Sequence, residues 1–216
     1  HSGLPKVSRS LAEIESIDLL PFKAAVDAGV EMVMTAHIIY EALDPENPST
    51  LSKKILTGYL REKLGFQGVI ITDSFNMWAI QKNYDPGEAA IQAILAGADM
   101  IMLAEERYGE DVGDYKKNQT ALIDRVEKAV MDGEIPMERI NEAYNRIKAL
   151  KEKFNLAGRV PVDVNAAKQT VGKAENRSVA VAAAEAALLA SDPKGLLPLK
   201  AEAEVWVTRL AVEDVE

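Results

Sequence analysis

The sequence predicts an α/β protein built on parallel strands, and three observations carry that expectation. Short apolar runs recur near residues 32, 70 and 100. Helical sequence separates them, with Gly29, Gly65 and Gly97 as stops, and a β-α-β-α-β series demands parallel strands joined by right-handed crossovers. The third observation is the middle run, Gly68-Val69-Ile70-Ile71-Thr72-Asp73-Ser74, in which four β-branched residues lead straight into a carboxylate. Such a run reads as a strand buried on both faces. In parallel folds the carboxyl ends of strands converge on one crevice, where catalytic groups sit. Asp73 is therefore either a functional carboxylate or the cap of the helix that follows.

In chain order, Leu4 to Ser8 reads as a loop restricted by Pro5, and Ser10 as the N-cap of a helix reaching about Asp27 that Pro21 divides in two. Val30 to His37 is the first apolar strand. A loop rich in turn formers follows from Glu41 to Thr50, with Pro45 and Pro48. Ser52 caps a helix from Lys53 to Leu64, whose apolar residues fall on one side. After the middle strand come a short helix near Phe75 to Gln81, a helix opened by Pro86-Gly87, and the third strand, Ala98 to Leu103. Two amphipathic helices follow, near 115–131 and 136–154, the second started by Pro136. Residues 155–166 form a Gly- and Pro-containing linker. Beyond it the pattern starts afresh, with a long Ala- and Val-rich helix over 167–190 and a strand from Glu204 to Leu210. That is too little for a second core of its own.

Composition excludes several classes. The net charge is −9, and Lys and Arg are scattered, so nothing would neutralise a nucleic-acid backbone. No apolar run is long enough to span a bilayer. There is no Cys, which excludes disulfides and thiolate metal sites, and the only two His, His1 and His37, argue against a His-based metal centre. Targeting is not legible, and both a cytoplasmic and a bacterial cell-surface location stay open.

The strings VMTAHI (33–38), TLSKKILTGYLREKLGF (50–66), GVIITDSFNMWAI (68–80) and EAAIQAILAGADMIML (88–103) resemble glycoside hydrolase family 3, within it the β-N-acetylhexosaminidase branch acting on cell-wall glycans. The similarity is close over about residues 1–160 and looser from about 175 to 210. It implies that residues 1–154 are the C-terminal part of a (β/α)₈ TIM barrel, about strands six to eight, and that 167–216 begin an α/β sandwich domain. It also implies that Asp73, after the seventh strand, is the nucleophile. The branch carries its acid/base His in a loop pattern Asp-Ser-His followed by Leu-Pro. Here His1-Ser2-Gly3-Leu4-Pro5 matches the second part, which puts His1 at that position; the Asp before it and the upstream Lys-His motif and Arg that hold the sugar lie outside the sequence.

The chemistry so implied is that of a retaining glycosidase, with a carboxylate attacking the anomeric carbon while a second group protonates the leaving oxygen. Histidine suits the second role, since its unperturbed pKa near 6.5 lets it give and take protons near neutrality. No metal or cofactor is needed. Met77, four residues after Asp73, is either an apolar wall beside the sugar, one helical turn on, or ordinary core. His37 either contacts substrate from the rim or is a buried His bonded to backbone. Asp99, at a strand start, reads as structural. Glu105 and Glu106 either face the sugar or point to solvent.

The expected partner is a glycan ending in β-N-acetylglucosamine, as in peptidoglycan recycling. The alternative within the family is a β-glucosidase or β-xylosidase; those typically carry Ser-Asp-Trp, where this chain has Thr72-Asp73-Ser74. A further alternative is an inactive fragment. Three strands cannot close a barrel, so such a chain would pair its exposed edges with a copy of itself or with the missing N-terminal half.

Overall fold

The computed structural model describes residues 3–104 and 115–187. His1, Glu105, Glu106 and the strand expected over Glu204 to Leu210 lie outside them. The chain divides into two compact units, His1–Arg159 and Val160–Glu216.

The first unit opens with a two-residue strand, β1 (Lys6–Val7), inside the stretch expected to be loop. Ser10 then caps α1 (Leu11–Glu13) through a reciprocal capping box with Glu13. A π-wound turn, Ile14–Asp18, leads into α2 (Leu20–Asp27), which carries Pro21 in its first turn. The strands β2 (Met32–Met34) and β3 (Ile39–Tyr40) follow. A 3₁₀ turn, Ser49–Leu51, precedes a second π-wound helix, Lys54–Lys63, whose first turn Ser52 helps to cap by accepting from the Ile55 N–H. Next come β4 (Val69–Ser74), α3 (Trp78–Gln81), α4 (Pro86–Ala96), β5 (Met100–Met102), α5 (Tyr115–Met131) and α6 (Met137–Lys153).

The strands β2, β4 and β5 form one sheet in that order, and β4 is parallel to both neighbours. The parallel series expected from the sequence is thus observed, with shorter outer strands. β1 and β3 make a separate parallel pair. It is closed by backbone bonds from Ile39 to Pro5 and from Glu41 to Val7.

Alternation along β4 decides which side chains meet the helices. Ile70, with Val33 and Ile101 on its flanking strands, packs into the main core against Leu56, Leu60, Ala93 and Leu122. Successive side chains point to opposite faces, so Ile71 and Asp73 project from the face away from the helices. Both are only partly buried, whereas Ile70, Thr72 and Ser74 are fully buried. On the neighbouring strand, Met32 and Met34 are 36% and 51% exposed. One face of the sheet is therefore covered by helices; the other is closed over Val69 and open toward the carboxyl end of β4 among the described residues.

Two glycines are required by geometry. A Cβ on Gly68 would stand 2.3 Å from the Glu31 carbonyl, the same oxygen that pairs β4 to the chain entering β2. Gly97 ends α4 at φ +123°, a conformation that L residues rarely adopt.

The described part of the second unit consists of α7 (Val164–Thr170), capped by Asp163, and α8 (Ala174–Ala186). The single helix expected over 167–190 is broken where Gly172 turns to φ +69°, and neither helix buries a residue.

Candidate functional site

Asp73 stands one residue before the carboxyl end of the middle strand, on the open face. Its Oδ1 accepts a 2.7 Å hydrogen bond from the Ser74 N–H. It does not cap the next helix: α3 begins five residues later with Met77 as N-cap and no side-chain cap. The capping alternative for Asp73 is therefore set aside. The helical spacing expected between Asp73 and Met77 is corrected as well, because Asp73 lies in a strand and Met77, at φ −68° and ψ 143°, is extended. Met77 is buried, 8% exposed.

Ser74 is held on every side. Its Oγ accepts from the Asn76 and Ala104 N–H groups, and the Asn76 amide donates to the Ala104 carbonyl. The Phe75 N–H donates to Met102 O at 3.0 Å, and the Met102 N–H donates to Thr72 Oγ1 at 3.0 Å. These bonds fasten the end of β4 to β5 where their register shifts.

His37 approaches from the other side and is 3% exposed. Its Nε2 lies 2.9 Å from the Ser74 carbonyl oxygen and its Nδ1 lies 2.9 Å from Thr50 Oγ1. Thr50 Oγ1 is in turn 2.7 Å from Thr35 Oγ1. Phe75 meets the imidazole edge-on, with centroids 6.0 Å apart. Of the two roles open for His37, these bonds are those of a buried His bonded to backbone. Thr50 and Thr35 were missed by sequence reasoning. They lie 13 and 2 residues from His37, and no periodicity announces the contact.

At the opposite end of the sheet the chemistry is different. The Asp99 side chain is fully buried and meets three guanidinium groups: Arg61 at 2.6 Å, Arg139 at 2.7 Å and Arg146 at 3.0 Å. Asp99 Oδ2 also accepts from the Ile70 N–H at 3.0 Å. Arg61 and Arg139 further donate to the carbonyls of Gly68 and Ala98, so the cluster ties strand starts to helices. Burial pushes the Arg61 guanidinium below its ordinary value, with the Asp99 charge opposing that shift.

Two other features lie near the site. Asp44 anchors the loop that carries Thr50, accepting from Ser52 Oγ at 2.7 Å and from the Glu46 and Asn47 N–H groups. Burial by itself would raise its carboxyl, but these bonds outweigh burial and hold it below the usual carboxylate range. A cavity of about 130 Å³ lies beneath the Ile14–Asp18 turn, lined by Phe22, Val33, Tyr40, Leu56 and Leu60. Its lining is mostly apolar, with Asp18, Thr35 and Ser49 among the polar residues, and does not include Asp73. No group of three or more His, Cys, Asp or Glu able to hold a metal occurs among the described residues, and no described helix is long and apolar enough to cross a membrane.

A partly exposed carboxylate at the carboxyl end of a parallel strand, over helices that cover only the far face, is the layout of an α/β enzyme. Residues 1–150 match the glycosyl hydrolase family 3 N-terminal domain, and the chain belongs to that family. Beta-hexosaminidase A of Pseudoalteromonas piscicida is 32% identical over 218 residues, covering 95% of this chain and 35% of the relative. Among solved structures, a family 3 β-N-acetylglucosaminidase from Paenibacillus sp. str. FPU-7 superposes with TM-score 0.69 at 37% identity, over 76% of this chain and 30% of that one. A β-glucoside phosphorylase superposes with TM-score 0.76 at 26% identity, over 91% of this chain and 36% of its own. The chain thus spans about a third of the length of these relatives.

Proposed function

We propose that this chain is the nucleophile-bearing part of a retaining β-N-acetylhexosaminidase that removes terminal β-N-acetylglucosamine from cell-wall-type glycans. In this reading β2, β4 and β5 are strands six to eight of a (β/α)₈ barrel, and the second unit opens an α/β sandwich domain. The observation that carries it is the place of Asp73: the end of the middle parallel strand, on the face the helices leave open. The names of the hexosaminidase relatives support the sugar.

The Asp73 carboxylate attacks the anomeric carbon as the bond to the leaving oxygen breaks, and His1 gives that oxygen its proton. In the second half-reaction His1 takes a proton from water, which displaces Asp73 and restores the carboxylate. Met77 supplies an apolar wall beside the sugar, and His37 acts on substrate binding only through the Ser74 carbonyl to which it is bonded. The groups that read the sugar hydroxyls belong to the remainder of the barrel. The 216 residues by themselves are inactive and associate through their open strand edges, on one of which Met34 of β2 is 51% exposed.

The test is turnover of a chromogenic N-acetylglucosaminide by the complete protein and by the isolated chain. Turnover by the complete protein, lost in Asp73→Ala, supports the reading; activity unchanged in that variant contradicts it. A second reading, transfer of the sugar to phosphate instead of water, is favoured by the likeness to the β-glucoside phosphorylase. Release of a sugar 1-phosphate only when inorganic phosphate is present would decide for it.

A further inference from the structure

We infer that Thr50 and His37 are positioning residues for the Asp73 carboxylate, acting through the two peptide groups of Ser74. The inference rests on Asp73 being the nucleophile. A carbonyl oxygen only accepts, so the 2.9 Å contact with Ser74 O requires the proton on His37 Nε2. In the neutral ring Nδ1 is then an acceptor, and the Thr50 hydroxyl donates to it. With its proton used there, Thr50 Oγ1 accepts from Thr35, whose hydroxyl is 2.7 Å away. With the ring neutral, the directions of all three bonds follow from the carbonyl that stands at the end of the chain.

What the relay holds is the residue next to Asp73. The Ser74 N–H donates to Asp73 Oδ1, and the Ser74 carbonyl accepts from His37. The peptide that carries this carbonyl is fixed at its other end by the Phe75 N–H bond to Met102 O. Rotation of that peptide would drag the Ser74 backbone and with it the donor that orients the carboxylate. Thr35, His37 and Thr50 are all buried, so none of these bonds competes with bulk water. Thr35 and Thr50 also bring the carboxyl end of β2 and the loop after it to bear on β4, and Asp44 keeps that loop in place. A nucleophile must be held to a fraction of an ångström, and a misplacement of about 1 Å costs on the order of 10²-fold in rate.

The experiment uses the complete protein that carries this chain, with a chromogenic N-acetylglucosaminide. Thr50→Val keeps the shape of the side chain and removes the hydroxyl; kcat is expected to fall about 10- to 100-fold while KM moves less than about twofold. Thr50→Ser restores the donor and recovers most of kcat. His37→Gln keeps an amide N–H within reach of the Ser74 carbonyl and retains more activity than His37→Leu. Nitrogen NMR of the His37 ring gives an independent readout, with the proton expected on Nε2 in the parent and the Nδ1 resonance shifted in Thr50→Val. An active parent whose Thr50→Val variant keeps kcat within about twofold overturns the inference alone, as does a proton found only on Nδ1. Equal loss in Thr50→Val and Thr50→Ser, in step with loss of folded protein, overturns it in favour of a purely structural role. A parent with no glycosidase activity overturns the reading of Asp73 and this inference with it.

Discussion

Asp73 and Asp99 are carboxylates on adjacent strands of one sheet, at opposite ends and in opposite circumstances. Asp99 immediately precedes β5, its side chain is fully buried, and it meets three arginines and a backbone N–H. Asp73 is the last residue but one of β4, is partly exposed, and accepts one hydrogen bond from its neighbour's N–H. The first has its hydrogen-bonding capacity consumed by the fold. The second keeps most of its capacity for something else. A strand that enters the sheet among paired charges and leaves it beside a partly exposed carboxylate is built differently at its two ends, as the proposed division between stability and chemistry requires.

The comparison breaks most sharply by removing each carboxylate. In the complete protein, Asp73→Ala is expected to lower glycoside turnover on the order of 10⁴-fold or more, with the unfolding midpoint nearly unmoved. Asp99→Ala should do the reverse. It leaves three guanidinium groups around an emptied site, so stability should fall by about 3–5 kcal/mol in denaturant unfolding. Activity per folded molecule should persist. If Asp99→Ala spared stability, the division between the two ends would be wrong.

Gly68→Ala comes next, since its Cβ would collide with the Glu31 carbonyl. A loss of about 1–3 kcal/mol is expected, read as a lower thermal midpoint. The smallest effect concerns Asp44. Its folded-state carboxyl is held below the ordinary aspartate value of 3.8. Its contribution is therefore complete above that value and lost as pH falls through the folded-state pKa. Asp44→Asn should flatten the acid limb of the stability curve below about pH 4, by about 1 kcal/mol; an unchanged acid limb would contradict this.

Much of the fold was legible because it is local. Ser10 followed three residues later by Glu13 spells a capping box, and that box is observed. The β-branched run at 69–72, bounded by Gly68, gives β4. Asp99 read as structural from its place at a strand start, and its three arginines explain why. The features that escaped are those with no local signal. β1 and β3 are two residues each, too short for periodicity, and are held together by bonds across more than thirty residues. The break at Gly172 was hidden by Ala- and Val-rich sequence on both sides. The place of Asp73 near the carboxyl end of a strand was legible from the apolar run before it, but the spacing to Met77 was read as helical where the backbone is extended. The contact from Thr50 through His37 to Ser74 exists only once β2, the following loop and β4 are folded together. Sequence spacing alone gives it no mark.

The most direct test of Asp73 as nucleophile is to trap the covalent intermediate. The complete protein would be inactivated with a fluorinated N-acetylglucosamine derivative that forms a slowly hydrolysed glycosyl-enzyme, digested, and mapped by mass spectrometry. The account predicts one sugar per molecule, on the peptide containing Val69 to Met77, with fragmentation placing it on Asp73. A sugar attached to any other carboxylate, or full turnover with no adduct at all, would contradict it.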